Sequence, residues 1–110
     1  MKLSVKERLA VPQILPEESN LYTQMIARNV RNKAEFSPEE TAEIGLQAVG
    51  GSLSWSNDKS EDVSFTEEEL QLLKDQVEKL DKENKITNDL LDLCLKVKNK
   101  EVNNSKKTSK

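Results

Sequence analysis

Residues 66–97 read TEEELQLLKDQVEKLDKENKITNDLLDLCLKV. Thr66 and Glu69 form a capping box, in which each side chain satisfies the other residue's free backbone N–H. Three acids in the first turn suit the positive end of a helix dipole. Leu70, Leu73, Val77 and Leu80 follow at spacings of 3, 4 and 3, which puts them on one helical face. The pattern predicts a helix over 67–83. Asn84-Lys85 breaks it, and Thr87 is expected to cap the next helix. Leu90, Leu91, Cys94, Leu95 and Val97 supply the apolar stripe of that next helix. Two helices joined by so short a turn run antiparallel. The first stripe spans under two heptads, too short for a coiled coil, so packing within one domain is expected.

Working back toward the N-terminus, the same punctuation recurs. Ser4 and Glu7 form another box, opening a helix predicted over 5–11. Pro12 lacks an N–H and disfavours helix just before it, so the helix is expected to stop there. Pro16 predicts an extended linker over 13–18. Ser19 or Asn20 can cap a helix ending near Lys33 or Ala34, with Leu21, Met25, Ile26 and Val30 on one face. Ser37-Pro38-Glu39-Glu40 is a box with proline at the first helical position, where its missing N–H costs nothing. That helix should reach Ile44 and end on a left-handed Gly45.

At Leu46 the period changes from helical to alternating. Leu46 and Ala48, then Leu53 and Trp55, alternate with polar residues around Gly50-Gly51, which is a β-hairpin signal. Residues 63–65 could add a third strand. The expected fold is α+β: four to five short helices with a small β-hairpin and a C-terminal antiparallel helical hairpin. One domain is expected over 1–98, followed by a disordered Lys/Asn/Ser tail over 99–110.

Composition narrows the function classes. Of the 110 residues, 34% are charged and only 4% aromatic, so the core must be thin and aliphatic. Residues 57–95 carry five basic and twelve acidic side chains, whereas residues 96–110 carry six Lys and one Glu. An acidic second half argues against nucleic-acid binding by the folded part. No run approaches the length of a membrane span, and Lys6, Glu7 and Arg8 interrupt any secretory leader over 1–16. A cytoplasmic location is the expectation.

Chemistry-bearing residues are few. There is no histidine, hence no Ser–His or Cys–His dyad and no imidazole ligand. Cys94, the one cysteine, lies in an apolar stripe and reads as a small core hydrophobe. Asp58, Ser60, Asp62, Ser64, Thr66 and Glu69 match the oxygen positions of an EF-hand loop, but Val63 stands where the loop needs glycine. No catalytic residue, metal or cofactor is expected. The candidate contact residues are Trp55 and Leu53. Tryptophan dominates many interfaces, and a hairpin edge can be extended by another strand. Two strands alone are barely stable, so one face of the hairpin is expected to lie on helices. The competing reading packs Trp55 into the core against Leu70 and Leu73.

The order Val5-Lys6-Glu7-Arg8-Leu9, Ile14-Leu15-Pro16-Glu17, Phe36-Ser37-Pro38-Glu39-Glu40, a glycine pair before Leu53 and Trp55, then Leu80-Asp81 and Lys85-Ile86-Thr87 resembles small uncharacterised proteins of tailed bacteriophages and prophages. The resemblance covers residues 1–98 and carries over no site residues. It implies a non-enzymatic module that binds a host or phage protein in the bacterial cytoplasm. A minor virion or assembly component, and a small-ligand or ion-binding module, are the alternatives. A homo-oligomer is possible.

Overall fold

A computed structural model describes residues 1–100. Five helices and two separate two-stranded antiparallel sheets follow in the order β1 (Lys2–Leu3), α1 (Val5–Ile14), α2 (Leu21–Ala34), α3 (Pro38–Ile44), β2 (Gln47–Val49), β3 (Ser52–Ser54), β4 (Glu61–Asp62), α4 (Glu67–Lys82) and α5 (Asn88–Asn99). This is the expected α+β architecture. The expected tail over 101–110 lies outside the described residues, and Asn99 belongs to α5.

The three capping boxes form where the spacing placed them, at Ser4/Glu7, Ser37/Glu40 and Thr66/Glu69. Asn20 caps α2 through its side chain, accepting from the Thr23 N–H at 2.7 Å. Gly45 ends α3 at φ 68°. A Cβ there would meet Ser56 Oγ at 2.4 Å, so both backbone angle and space require glycine. Thr87 precedes α5 but makes no side-chain cap.

The helices α1, α2, α4 and α5 enclose the core, with α1 touching each of the other three. Leu73, Leu93, Val11, Val30 and Val97 are among its fully buried side chains. The core is aliphatic, as expected, with Phe65 packing at its margin. A tight turn with Asn84 at φ 57° joins α4 to α5. Lys74 Nζ donates to the Lys98 carbonyl at 3.1 Å, joining an early part of α4 to the end of α5. The pair is therefore antiparallel.

Four local expectations are corrected. Helix α1 runs through Pro12 to Ile14. Proline inside a helix costs about 3 kcal/mol, but it sits in the last turn, and the helical path buries Val11, Ile14 and Leu15. Each of those side chains contributes about 1.5–3 kcal/mol, which outweighs the lost bond. Helix α2 buries Ala27, Val30 and Ala34, while Leu21, Tyr22 and Met25 face solvent. In α5 Leu93 takes a buried place, and Leu91 and Leu95 are exposed. The extra strand forms at Glu61–Asp62 and pairs with Lys2–Leu3, not with the hairpin.

Among the described residues, three charged ones are buried: Glu7, Arg8 and Glu69. Each is paired with a residue of another helix. Lys96 Nζ donates to Glu7 at 2.7 Å, and Lys33 Nζ to Glu69 at 2.6 Å. The Arg8 guanidinium donates to both Glu40 oxygens, at 3.0 and 3.2 Å. It also donates to the carbonyls of Ala34 and Glu35 at 3.2 and 2.6 Å, satisfying acceptors at the end of α2. Its Cζ lies 4.0 Å from the Phe36 ring centroid. Among the described residues, no buried side-chain polar atom lacks a partner.

Replacing Arg8 by Ala leaves the half-buried Glu40 carboxylate with only its Ser37 N–H and removes the donors to two carbonyls. Denaturant unfolding should show a loss of about 3–5 kcal/mol, the usual cost of breaking a buried pair. Arg8→Lys should recover only part of it, because an ammonium cannot reproduce the fork.

Acid should weaken the same ties. Burial pulls the Glu7 carboxyl up, but Lys96 and the Ser4 N–H together hold it below its ordinary value of 4.5. Arg8, then the Ser37 N–H, hold Glu40 below its ordinary value too. A carboxyl depressed in the folded state contributes stability above its unfolded pKa and loses it as pH falls through the folded pKa. Stability should therefore decline below about pH 4.5, and Glu40→Gln should be less stable at neutral pH with a shallower acid decline. Thermal melts across pH 2–7 measure both.

Candidate functional site

Residues 44–57 form the longest uncharged stretch in the chain, fourteen residues between Glu43 and Asp58. Their centre folds into the expected hairpin. Gln47 pairs with Ser54, Ala48 with Leu53 and Val49 with Ser52. Gly50 and Gly51 both have positive φ, 58° and 83°, as a two-residue type I′ turn requires. The base of the hairpin is tied down by the Ile44 carbonyl, which accepts from the Ser56 and Asn57 N–H groups at 3.0 and 3.1 Å.

The hairpin packs on no helix to any substantial extent, and every residue of both strands is exposed. The expectation that one face lies on helices is corrected. Only its base adjoins a helix: Leu46, half-buried, and Gln47 share a shallow depression with Pro38, Thr41 and Ala42 of α3. Alternation puts Ala48 and Leu53 on one face. Continuing the register one step beyond Gln47 and Ser54 sets Leu46 opposite Trp55 on that same face. Leu53 is 51% exposed. Trp55 is half-buried, lies just beyond β3, and is not among the partly buried side chains packed against the core. The structure thus brings the two sequence-derived contact residues together and separates Trp55 from the core.

The remaining chemistry is spent on structure. Asp58 accepts from the Val5 N–H at 3.1 Å, Asp62 from the Met1 amino group at 2.9 Å, and Glu69 serves its capping box and Lys33. The EF-hand-like carboxylates are therefore dispersed among separate partners. Among the described residues, no cluster of three His, Cys, Asp or Glu is arranged to hold a metal. Burial pushes the Cys94 thiol up, and Asp81 adds to it, which disfavours the reactive thiolate. No helix among the described residues is long and apolar enough to cross a membrane.

Two further apolar exposures escaped the sequence reading. Leu21, Tyr22 and Met25 stand out from the start of α2, where the Tyr22 hydroxyl donates to Glu68. Leu91 and Leu95 flank a groove of about 490 Å³ between α4 and α5, lined also by Val77 and Ile86. The available signal was excess: residues 90–97 hold six apolar side chains in eight, more than one buried stripe takes.

No family model, curated protein or solved structure matches this chain.

Because Trp55 and Leu53 stand apart from the core, their replacement should spare the fold. Leu53→Ser should change unfolding free energy by no more than about 0.5 kcal/mol, as at other exposed sites. Trp55→Ala should cost clearly less than the about 3–5 kcal/mol of a core aromatic. A core-sized loss in urea denaturation would return Trp55 to the interior.

Proposed function

We propose that this chain is a non-catalytic protein-binding module that engages its partner through the hairpin face bearing Leu46, Ala48, Leu53 and Trp55. One observation carries the reading: an uncharged segment in a highly charged chain folds into a hairpin whose two strands are exposed throughout, with Leu46 and Trp55 half-buried at its base. Exposed apolar surface of this kind marks interaction sites. Edge strands usually carry a charge, a proline or a bulge against unwanted pairing, and β2 and β3 carry no charge or proline. The side-chain chemistry supports binding over catalysis, since the paired carboxylates cap helices and the only thiol is buried. The resemblance to short phage proteins adds that the partner is a host or phage protein in the bacterial cytoplasm.

Immobilised full-length chain should capture a discrete protein from bacterial lysate, saturably. Trp55→Ala and Leu53→Ser chains with unchanged melting should lose it, while an α2 control, Met25→Ser, should keep it. Capture that survives both hairpin variants would refute the assignment of the surface, and no saturable capture would refute binding.

A further inference from the structure

Asp75, Glu78 and Asp81 recur every third residue of α4, and Leu91 and Leu95 stand four apart on α5. Residues three or four apart are neighbours on a helix surface, so each set forms a ridge. The antiparallel packing of α4 and α5 sets the two ridges along opposite sides of the groove between them. Val77 and the small Cys94, both buried, make its floor, and Ile86 lies at the end nearest the α4–α5 turn. We infer that this groove docks a short amphipathic helix of a partner protein, one that carries lysine or arginine along one flank. The inference goes beyond the hairpin surface and does not rest on it.

Charge specifies the flank. One rim is a line of three carboxylates, and among the described residues none of the three takes part in an ion pair. Asp75 accepts from the Gln71 amide at 3.0 Å. Asp81 adds its charge to the burial that already raises the Cys94 thiol, which puts its carboxylate near the floor. The two rim lysines, Lys74 and Lys98, are gathered at the other end, where the Lys74 ammonium is engaged by the Lys98 carbonyl. A row of cations entering from the Asp81 end therefore meets carboxylates along α4. A second copy of this chain, of net charge -3, would be repelled instead.

Spacing specifies the helix. Ridges at three- and four-residue steps are complementary to the same ridges on an incoming helix. A strand shows its same-face side chains about 6.7 Å apart, out of step with the carboxylates. Leu91 and Leu95, 44% and 48% exposed, offer the apolar contact. The volume of about 490 Å³ lies within the range of roughly 300–1,000 Å³ typical of binding clefts. An incoming helix would lay apolar side chains four apart on Leu91, Leu95 and the floor, with its basic row on Asp75, Glu78 and Asp81.

Fluorescence anisotropy with the full chain tests it. The probe is a labelled peptide of about 18 residues, long enough to hold a helix, with Leu on one helical face, Lys on one adjoining flank, and Ala and Gln elsewhere. It should bind saturably and weaken as salt screens the lysines. Glu78→Lys/Asp81→Lys lies late in α4, where positive charge suits the helix. That chain should keep its melting temperature and bind at least about tenfold more weakly, and Leu95→Ser should do the same. Glu17→Lys/Glu18→Lys, of equal net charge, should bind as wild type, and so should Trp55→Ala. No saturable binding overturns the proposal, as does binding that survives the groove variants or falls equally in Glu17→Lys/Glu18→Lys. Equal binding of the probe carrying two central prolines would mean that the groove takes any cationic apolar chain, and the helix is refuted. A tenfold gain in probe affinity on Lys106→Gln/Lys107→Gln would assign the groove to this chain's own residues 101–110. A dimer abolished by Leu95→Ser would assign it to a second copy. Either result removes the partner helix.

Discussion

Three glutamates hold the helices of this protein both internally and to each other. Glu7, Glu40 and Glu69 each occupy the third position of a helix and accept the N–H of their own capping residue. Each also receives a cation from a different helix: Lys96 from α5, Arg8 from α1 and Lys33 from α2. Local helix initiation and long-range packing thus share the same carboxylates. A capping-box carboxylate is already oriented by its own backbone bond, so less entropy is lost when the second partner arrives. Arg8 carries this furthest, because one guanidinium joins the start of α3, the end of α2 and the Phe36 ring.

That arrangement compensates for a core with little aromatic surface. The interior is built from Leu, Val, Ile, Ala and one Cys, and small domains bury a modest share of their surface. Buried ion pairs add little net stability over well-packed apolar groups. Their contribution here is geometric. Ion pairs join α1 to α5, α3 to α1 and α2 to α4, so the thin core closes in one arrangement.

The hairpin is the counterpoint. It has the composition of a core segment and no core beneath it. Two strands alone are marginally stable, and here they are held by a type I′ turn at one end and the Ile44 carbonyl at the other. The glycines that shape this turn leave open space around them, unlike Gly45, which is pinned between α3 and Ser56. The ends of the hairpin are fixed while every residue of its two strands is exposed, which is the condition a binding element needs.

Much of the fold was legible in the chain. The capping boxes, the ends of α3 and α4, the glycine turn and the antiparallel helical pair follow from contacts within about five residues, where spacing alone sets geometry. Tertiary structure alone decided the rest. It drew helix through Pro12, since burying Ile14 and Leu15 outweighs one lost hydrogen bond. It chose Leu93 over Leu91 and Leu95, and Ala27 over Met25, because a helix with too many apolar residues buries whichever arc its neighbours approach. It sent Glu61–Asp62 to Lys2–Leu3, a pairing across nearly sixty residues that no local pattern encodes. It also left Trp55 off the core. Sequence spacing determines which side chains share a face, but burial depends on what arrives opposite that face, and only the folded chain sets that.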